Sequence, residues 1–192
     1  MIDLLPAENI PAPNLSQLFG RDALLHVDLG CGDGSLLRAM AVEHPEINFL
    51  GTERLLRRVR SSDKKAADLP NMRIIRAETL YVLERLLAPE SVDAFYLLFP
   101  DPWPKRRHHR RRIVTAEFLG RIWTRLTSHG SLFMATDHDD YFAAIRKLLR
   151  KSSNFALASA EWKLPATTFE QKFIGAGTAI HRLELRKVSP VT

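Results

Sequence analysis

Three short stretches of this 192-residue chain hold residue types that can do chemistry. The first is Asp28-Leu29-Gly30-Cys31-Gly32-Asp33-Gly34. Gly30, Gly32 and Gly34 let a backbone turn tightly and approach a ligand without Cβ clashes. A helix starting behind them would offer free N–H groups and a positive dipole end. The spacing is G-x-G-x-G, with Ser35 where the dinucleotide fingerprint has its third glycine. Asp28 precedes the first glycine, and a carboxylate there suits a cationic ligand better than a pyrophosphate. Glu53 stands near the distance, about 20 residues on, at which such folds keep an acid for both hydroxyls of a ribose. The pattern favours a nucleoside ligand over a purely structural turn, and S-adenosylmethionine over NAD.

The second stretch is Leu98-Phe99-Pro100-Asp101-Pro102-Trp103-Pro104-Lys105. Prolines fix φ on both sides of Trp103 and hold Asp101 stiffly. A rigid carboxylate beside a nucleoside pocket is placed to orient a reacting base. Trp103 either packs on the body of the protein or stacks on a base. The third stretch is the basic run from Lys105 to Arg112, which carries six of the chain's 28 Lys and Arg residues. Without it the balance is 22 cations against 22 acids, so the net charge of +6 is local. A local cationic patch suggests a polyanionic partner, although a solvated loop or a localisation cluster has the same composition. Arg106, Arg107, Arg110 and Arg111 would touch phosphates, giving affinity without sequence specificity. A further cluster, Arg54, Arg57, Arg58, Arg60, Lys64 and Lys65, is either the exposed face of a helix or a nucleic-acid contact.

These residues need elements to hold them. Buried β-type runs at 24–28, 47–52, 72–77, 92–99 and 131–136 alternate with helical patterns at 35–44, 54–68, 80–87, 117–126 and 141–149. Each strand exit carries an acid: Asp28, Glu53, Glu78, Asp101 and Asp137. Acids there commonly cap helices, but five in register mark the carboxyl edge of a parallel sheet, where ligands bind. The fold class is therefore α/β, a doubly wound, mostly parallel sheet. Residues 155–163 and 178–187 read as two further strands joined by a link at 165–177, an antiparallel hairpin at the sheet edge. Residues 1–13, with three prolines, read as an extended lead-in, and 14–192 as a single domain.

Composition bounds the rest. At 45% hydrophobic and 26% charged residues the chain is globular rather than disordered, and this length buries roughly 70% of its unfolded surface without staples. A single cysteine, Cys31, excludes an internal disulfide and a Cys-based zinc cage. It reads as a small buried residue rather than a nucleophile. The seven histidines show no ligand spacing, so no metal is expected. No apolar run approaches the ~20 residues of a membrane span, and the first residues lack a secretory pattern. The expected compartment is the cytoplasm.

The order of these stretches resembles that of the bacterial tRNA (guanine-N7)-methyltransferases. The resemblance rests on the glycine loop, Asn48-Phe49-Leu50-Gly51-Thr52-Glu53, Phe99-Pro100-Asp101-Pro102-Trp103-Pro104-Lys105-Arg106-Arg107-His108, Arg111-Arg112-Ile113-Val114, Met134-Ala135-Thr136-Asp137 and Thr167-Thr168-Phe169-Glu170. It covers residues 24–187. It implies a seven-stranded, Rossmann-like class I fold with an antiparallel last strand, S-adenosyl-L-methionine as cofactor, and methyl transfer to a guanosine of the tRNA variable loop by a monomer or homodimer. By position, Asp28, Gly30, Gly32, Gly34, Glu53, Glu78 and Asp101 would bind the cofactor, with Asp101 also catalytic. Lys105, Asp137, Thr167, Thr168, Phe169 and Glu170 would bind the target guanosine. Asp28 replaces the family's usual Glu, Glu78 its usual Asp, and Thr168 the Lys of its T-K-F-E. The rival readings are a methyltransferase on another RNA or a protein, and a non-catalytic RNA-binding protein of the same fold.

Overall fold

The computed structural model describes residues 2–3, 18–158, 164–175 and 177–188. Apart from Ile2 and Asp3, the lead-in expected at 1–13 lies outside them, as does the end of the strand expected at 155–163.

Among the described residues eight strands form one sheet: β1 (Ile2–Asp3), β2 (Leu25–Leu29), β3 (Asn48–Glu53), β4 (Met72–Arg76), β5 (Val92–Leu98), β6 (Leu126–Thr136), β7 (Phe155–Leu157) and β8 (His181–Lys187). Their spatial order is β1-β4-β3-β2-β5-β6-β8-β7. From β4 to β6 every pairing is parallel, and β8 runs antiparallel to both of its neighbours. Seven strands follow the expected pattern. The eighth is the two-residue β1, which pairs with Ile75 and Arg76. The closing strands pair antiparallel at the sheet edge, as read from sequence, with β8 between β6 and β7.

All six residues of β3 are buried, as expected of a strand covered on both faces. Alternate residues feed two cores. Val27, Leu29, Leu50, Ile75, Phe95 and Leu97 point into one, and Phe49, Met72, Ile74, Ala94 and Tyr96 into the other. The second core is closed by α1 (Ser35–Glu43), through Leu37 and Met40, and by Val59 of α2 (Leu56–Ala66). The first is closed by α4 (Ala116–Arg125), through Phe118, Leu119 and Ile122, and by α5 (Asp139–Leu149), through Tyr141 and Ile145.

Three elements differ from the pattern reading. The helix expected at 80–87 is a single turn, α3 (Thr79–Tyr81), that widens into a π-helix at Val82–Leu86. β6 starts five residues earlier than the apolar run indicated, because Leu126 pairs with Val92 ahead of an irregularity in the ladder. The link at 165–177 contains a helix, α6 (Thr168–Gly175).

Candidate functional site

The carboxyl ends of β2, β3, β4 and β5 line one crevice. The glycine loop is pinned to the end of β3, since the N–H groups of Gly30 and Cys31 both donate to the Thr52 carbonyl at 2.9 and 2.8 Å. Gly34 has φ of +74°, and a Cβ there would meet Cβ of Ser62 at 2.5 Å. Its bare backbone is what lets α1 start against α2. Asp33 lines the second cavity and is held by Lys65, which donates to it at 2.7 Å.

Two adjoining cavities fill the crevice, of about 410 and 680 Å³. Glu53, Glu78, Trp103 and Arg111 line the first; Asp28, Gly32, Arg57, Ser61 and Thr167 line the second. Gly30, Arg58, Leu98, Phe99 and Asp101 belong to both. Asp28 is only 4% exposed, and its carboxylate takes no hydrogen bond among the described residues. Burial, and then the charge of Glu53, push its pKa up to about 7. A buried acid without a partner, facing a cavity, fits a cationic ligand. Glu53 uses one oxygen to accept from the N–H groups of Arg54 and Leu55 at 2.7 and 2.8 Å, which fixes the turn into α2. Its other oxygen lies 3.6 Å from Arg58 and stays available on the cavity wall. Glu78 is paired with Arg54 at 3.4 Å. Cys31 is buried, and burial together with the charges of Asp28 and Glu53 holds its thiol well above the usual range, so it stays protonated.

The segment after β5 is strained. Phe99 and Trp103 have φ of 53° and 44°, a left-handed conformation that costs non-glycine residues on the order of 1 kcal/mol each. Such strain persists only where surrounding contacts enforce it. Phe99 donates its N–H to the Ala135 carbonyl at 2.8 Å, and its ring lies 5.6 Å from that of Phe173 on α6. Trp103 packs under the Arg111 guanidinium at 4.8 Å and against His108, and it lines the first cavity.

Arg112 holds the segment to the body, a role invisible in the sequence, where it is one of six cations in a run. It is 8% exposed, donates to the Pro102 carbonyl at 2.8 Å and to Asp140 at 2.6 Å, and lies over the Tyr141 ring. The rest of the run forms a 3-10 helix, Arg106–Arg111, with Arg106, Arg107, Arg110 and Arg111 exposed. Lys105 is exposed at its start, outside the lining of both cavities, as are Gly34 and Asp137. Asp137 follows β6 one strand over from Asp101. Thr167 and Glu170 form a capping box on α6: the Thr167 hydroxyl accepts from the Glu170 N–H at 2.9 Å, and the Glu170 carboxylate lies over the Thr167 N–H. Glu170 is buried and also takes a bond from Arg182 Nε at 3.0 Å, so its charge is committed within the fold rather than open to a ligand. The side chains of Thr168 and Phe169 lie outside the described residues.

A sheet of this order, with a glycine loop and acids along one carboxyl edge, is the class I methyltransferase fold. Solved structures agree. A 16S rRNA methyltransferase, KamB, superposes with a TM-score of 0.64 at 19% identity, covering 92% of this chain and 93% of that one. A SAM-dependent O-methyltransferase from Thermotoga maritima gives 0.58 at 13% identity, covering 93% and 64%. A family profile described as "Putative methyltransferase" matches residues 22–183. The chain is 36% identical over 189 residues to the tRNA (guanine-N(7)-)-methyltransferase of Shewanella oneidensis, covering 93% of this chain and 79% of that protein. It is 34% identical to the protein of that name from Nitrosomonas europaea, covering 92% and 84%. The chain belongs to the tRNA (guanine-N7)-methyltransferase family.

Proposed function

We propose that the protein transfers the methyl group of S-adenosylmethionine to N7 of a guanosine in the variable loop of tRNA. The observation that carries this reading is Asp101, an exposed acid on a rigidly held backbone that lines both cavities at once, beside a buried acid that lacks a cationic partner. When bound, the cofactor supplies a methyl group already activated on a sulfonium. Asp28, the glycine loop and Glu53 would hold it, through charge, backbone and ribose respectively. Guanine N7 carries an in-plane lone pair, so no proton has to leave before attack, and the residues have only to align and neutralise. Asp101 accepts from guanine N1–H and the exocyclic amine. Asp137, one strand over, lies outside both cavities and is left without a role in holding the base. Thr167 faces the base from the start of α6, and Glu170 keeps Thr167 there. The exposed arginines at 106, 107, 110 and 111 take phosphates. Methyl transfer from labelled cofactor into bulk tRNA, followed by nucleoside analysis, tests the reading. 7-Methylguanosine as the labelled product supports it, and label in any other nucleoside or in none overturns it.

Two expectations concern cofactor binding. Glu53→Ala removes a charged acceptor worth roughly 1.5–3 kcal/mol, so the cofactor's Kd rises by about 10- to 100-fold in calorimetry. An unchanged Kd excludes the ribose role. Asp28 adds a pH dependence. Below its pKa of about 7 the carboxyl is neutral and no longer attracts a cation. Affinity is therefore level above about pH 8 and falls roughly tenfold per pH unit below pH 7. Asp28→Asn flattens this profile at its weak end. For the free protein the sign is opposite: a raised folded-state pKa contributes stability that is complete below the ordinary carboxyl range and lost as pH climbs to about 7.

A further inference from the structure

Helix α2 carries six arginine and lysine side chains on or just before it, and they divide by direction. Arg54 is paired with Glu78, Arg58 approaches Glu53, and Lys65 is bound to Asp33. Arg57, Arg60 and Lys64 are exposed and meet no acid among the described residues. These three share one helical stripe, spaced at i, i+3 and i+7, which spans about 10 Å. With Leu56 and Ser61 they line a surface groove of about 470 Å³.

Local stability does not explain the stripe. Like charges three and four residues apart repel, and Arg57 and Arg60 near the start oppose the helix dipole, which of the three only Lys64 in the last turn follows. The helix has no acid within its first turn, and Glu53 just ahead of it spends one oxygen on the Arg54 and Leu55 N–H groups. The groove also borders the site. Arg57 and Ser61 line both the groove and the larger cavity, so the two adjoin at the mouth of the site.

We propose that this face of α2 is a second phosphate-binding ridge, which holds the RNA strand flanking the target guanosine. The inference rests on the tRNA reading above and extends it. A reacting base in the cavity would have its neighbouring nucleotides pass through the cavity mouth. On one side lie the arginines of the 3-10 helix, and on the other Arg57, Arg60 and Lys64. A chain with one negative charge per unit, entering at a single reacting residue, matches a groove of unpaired cations that adjoins the cavity.

The test uses the full chain and a double variant, Arg60→Gln with Lys64→Gln, neither of which lines the cofactor cavities. Binding of tRNA is followed by fluorescence anisotropy across a salt series. Each lost phosphate contact lowers the log–log salt slope by roughly 0.7–0.9, so the double variant should lose about 1.4–1.8. Cofactor affinity should stay the same, and the swap Arg60→Lys with Lys64→Arg should keep the wild-type slope. An unchanged slope in a folded double variant overturns the ridge, even if 7-methylguanosine is still made, in which case the functional reading stands alone. A lowered slope without methylation by the wild type would keep the ridge and remove the functional reading. Placement is checked separately with a chelate that cleaves RNA, tethered at Lys64→Cys. Cys31 is buried and does not compete for the label. Cuts within a few nucleotides of the target guanosine support the path, and cuts confined to a distant arm overturn it.

Discussion

Asp101→Asn should lower the single-turnover rate of methyl transfer by about 10²–10³-fold with both substrates saturating, the scale seen when one preorganised polar group is removed from a reacting centre. In the proposed arrangement the carboxylate presents two acceptors to two guanine donors. An Asn side chain replaces one acceptor with an NH₂ group that opposes a guanine N–H and leaves both unsatisfied. It also removes negative charge from the junction of the two cavities. Repositioning offers no escape, because the segment is locked. Prolines flank Asp101, Phe99 and Trp103 sit at positive φ, and Arg112 grips the Pro102 carbonyl. Cofactor affinity should change far less, since Asp28 and Glu53 remain. Rapid quenching of labelled cofactor against excess enzyme measures the step. An Asn variant within threefold of wild type would remove Asp101 from the chemistry.

Asp101 was legible in the sequence because proline leaves a mark that structure cannot erase: the bracketed motif fixes its own backbone wherever it lies. The same holds for the glycine loop, whose three positive φ angles need glycine or strain. Five strands and their helices were legible because alternation of buried runs and amphipathic stripes is a local property. The misses are places where a local signal is weak or a distant partner decides. The first half of β6, Thr127-Ser128-His129-Gly130, has no apolar run and lies in the irregularity of the ladder between the Leu126–Val92 and Ser131–Ala94 pairs, so only pairing with β5 carries the strand back to Leu126. Arg112 differs from Arg111 by burial alone, and Tyr141 and Asp140, nearly 30 residues away, determine which of the two turns inward. The helix α6 did leave a signal, the T-x-x-E box at Thr167–Glu170. Without its capping role that box reads as a set of ligand contacts, whereas half of it is a helix start. The unpaired stripe on α2 could not be separated from its paired cations by composition, because Glu53, Glu78 and Asp33 select which cations are neutralised.

With 7-deazaguanosine at the target position of an otherwise unchanged tRNA, product should be absent rather than reduced. The substitution replaces N7 by a C–H and leaves N1–H, the exocyclic amine, the ribose and the phosphates in place. Binding should therefore survive, and the deaza tRNA should act as a competitive inhibitor with a Kd close to that of the normal substrate. Only the lone pair is lost, and the C–H that replaces N7 has none with which to attack the methyl group. The companion expectation is a flat rate profile. A lone pair that is not protonated near neutrality needs no general base, so single-turnover rates at saturation should change little between about pH 6 and 9. This profile separates cleanly from the pH dependence assigned to Asp28. That group alters how much cofactor is needed for saturation below pH 7, and once saturation is reached its contribution vanishes from the rate. The pair of measurements thus divides binding from chemistry in one titration: the cofactor's KM climbs as pH falls while the limiting rate stays level. A log-linear rise of the limiting rate with pH would mean that proton removal belongs to the step. Methylation of the deaza substrate at a normal rate would mean that another atom is the acceptor.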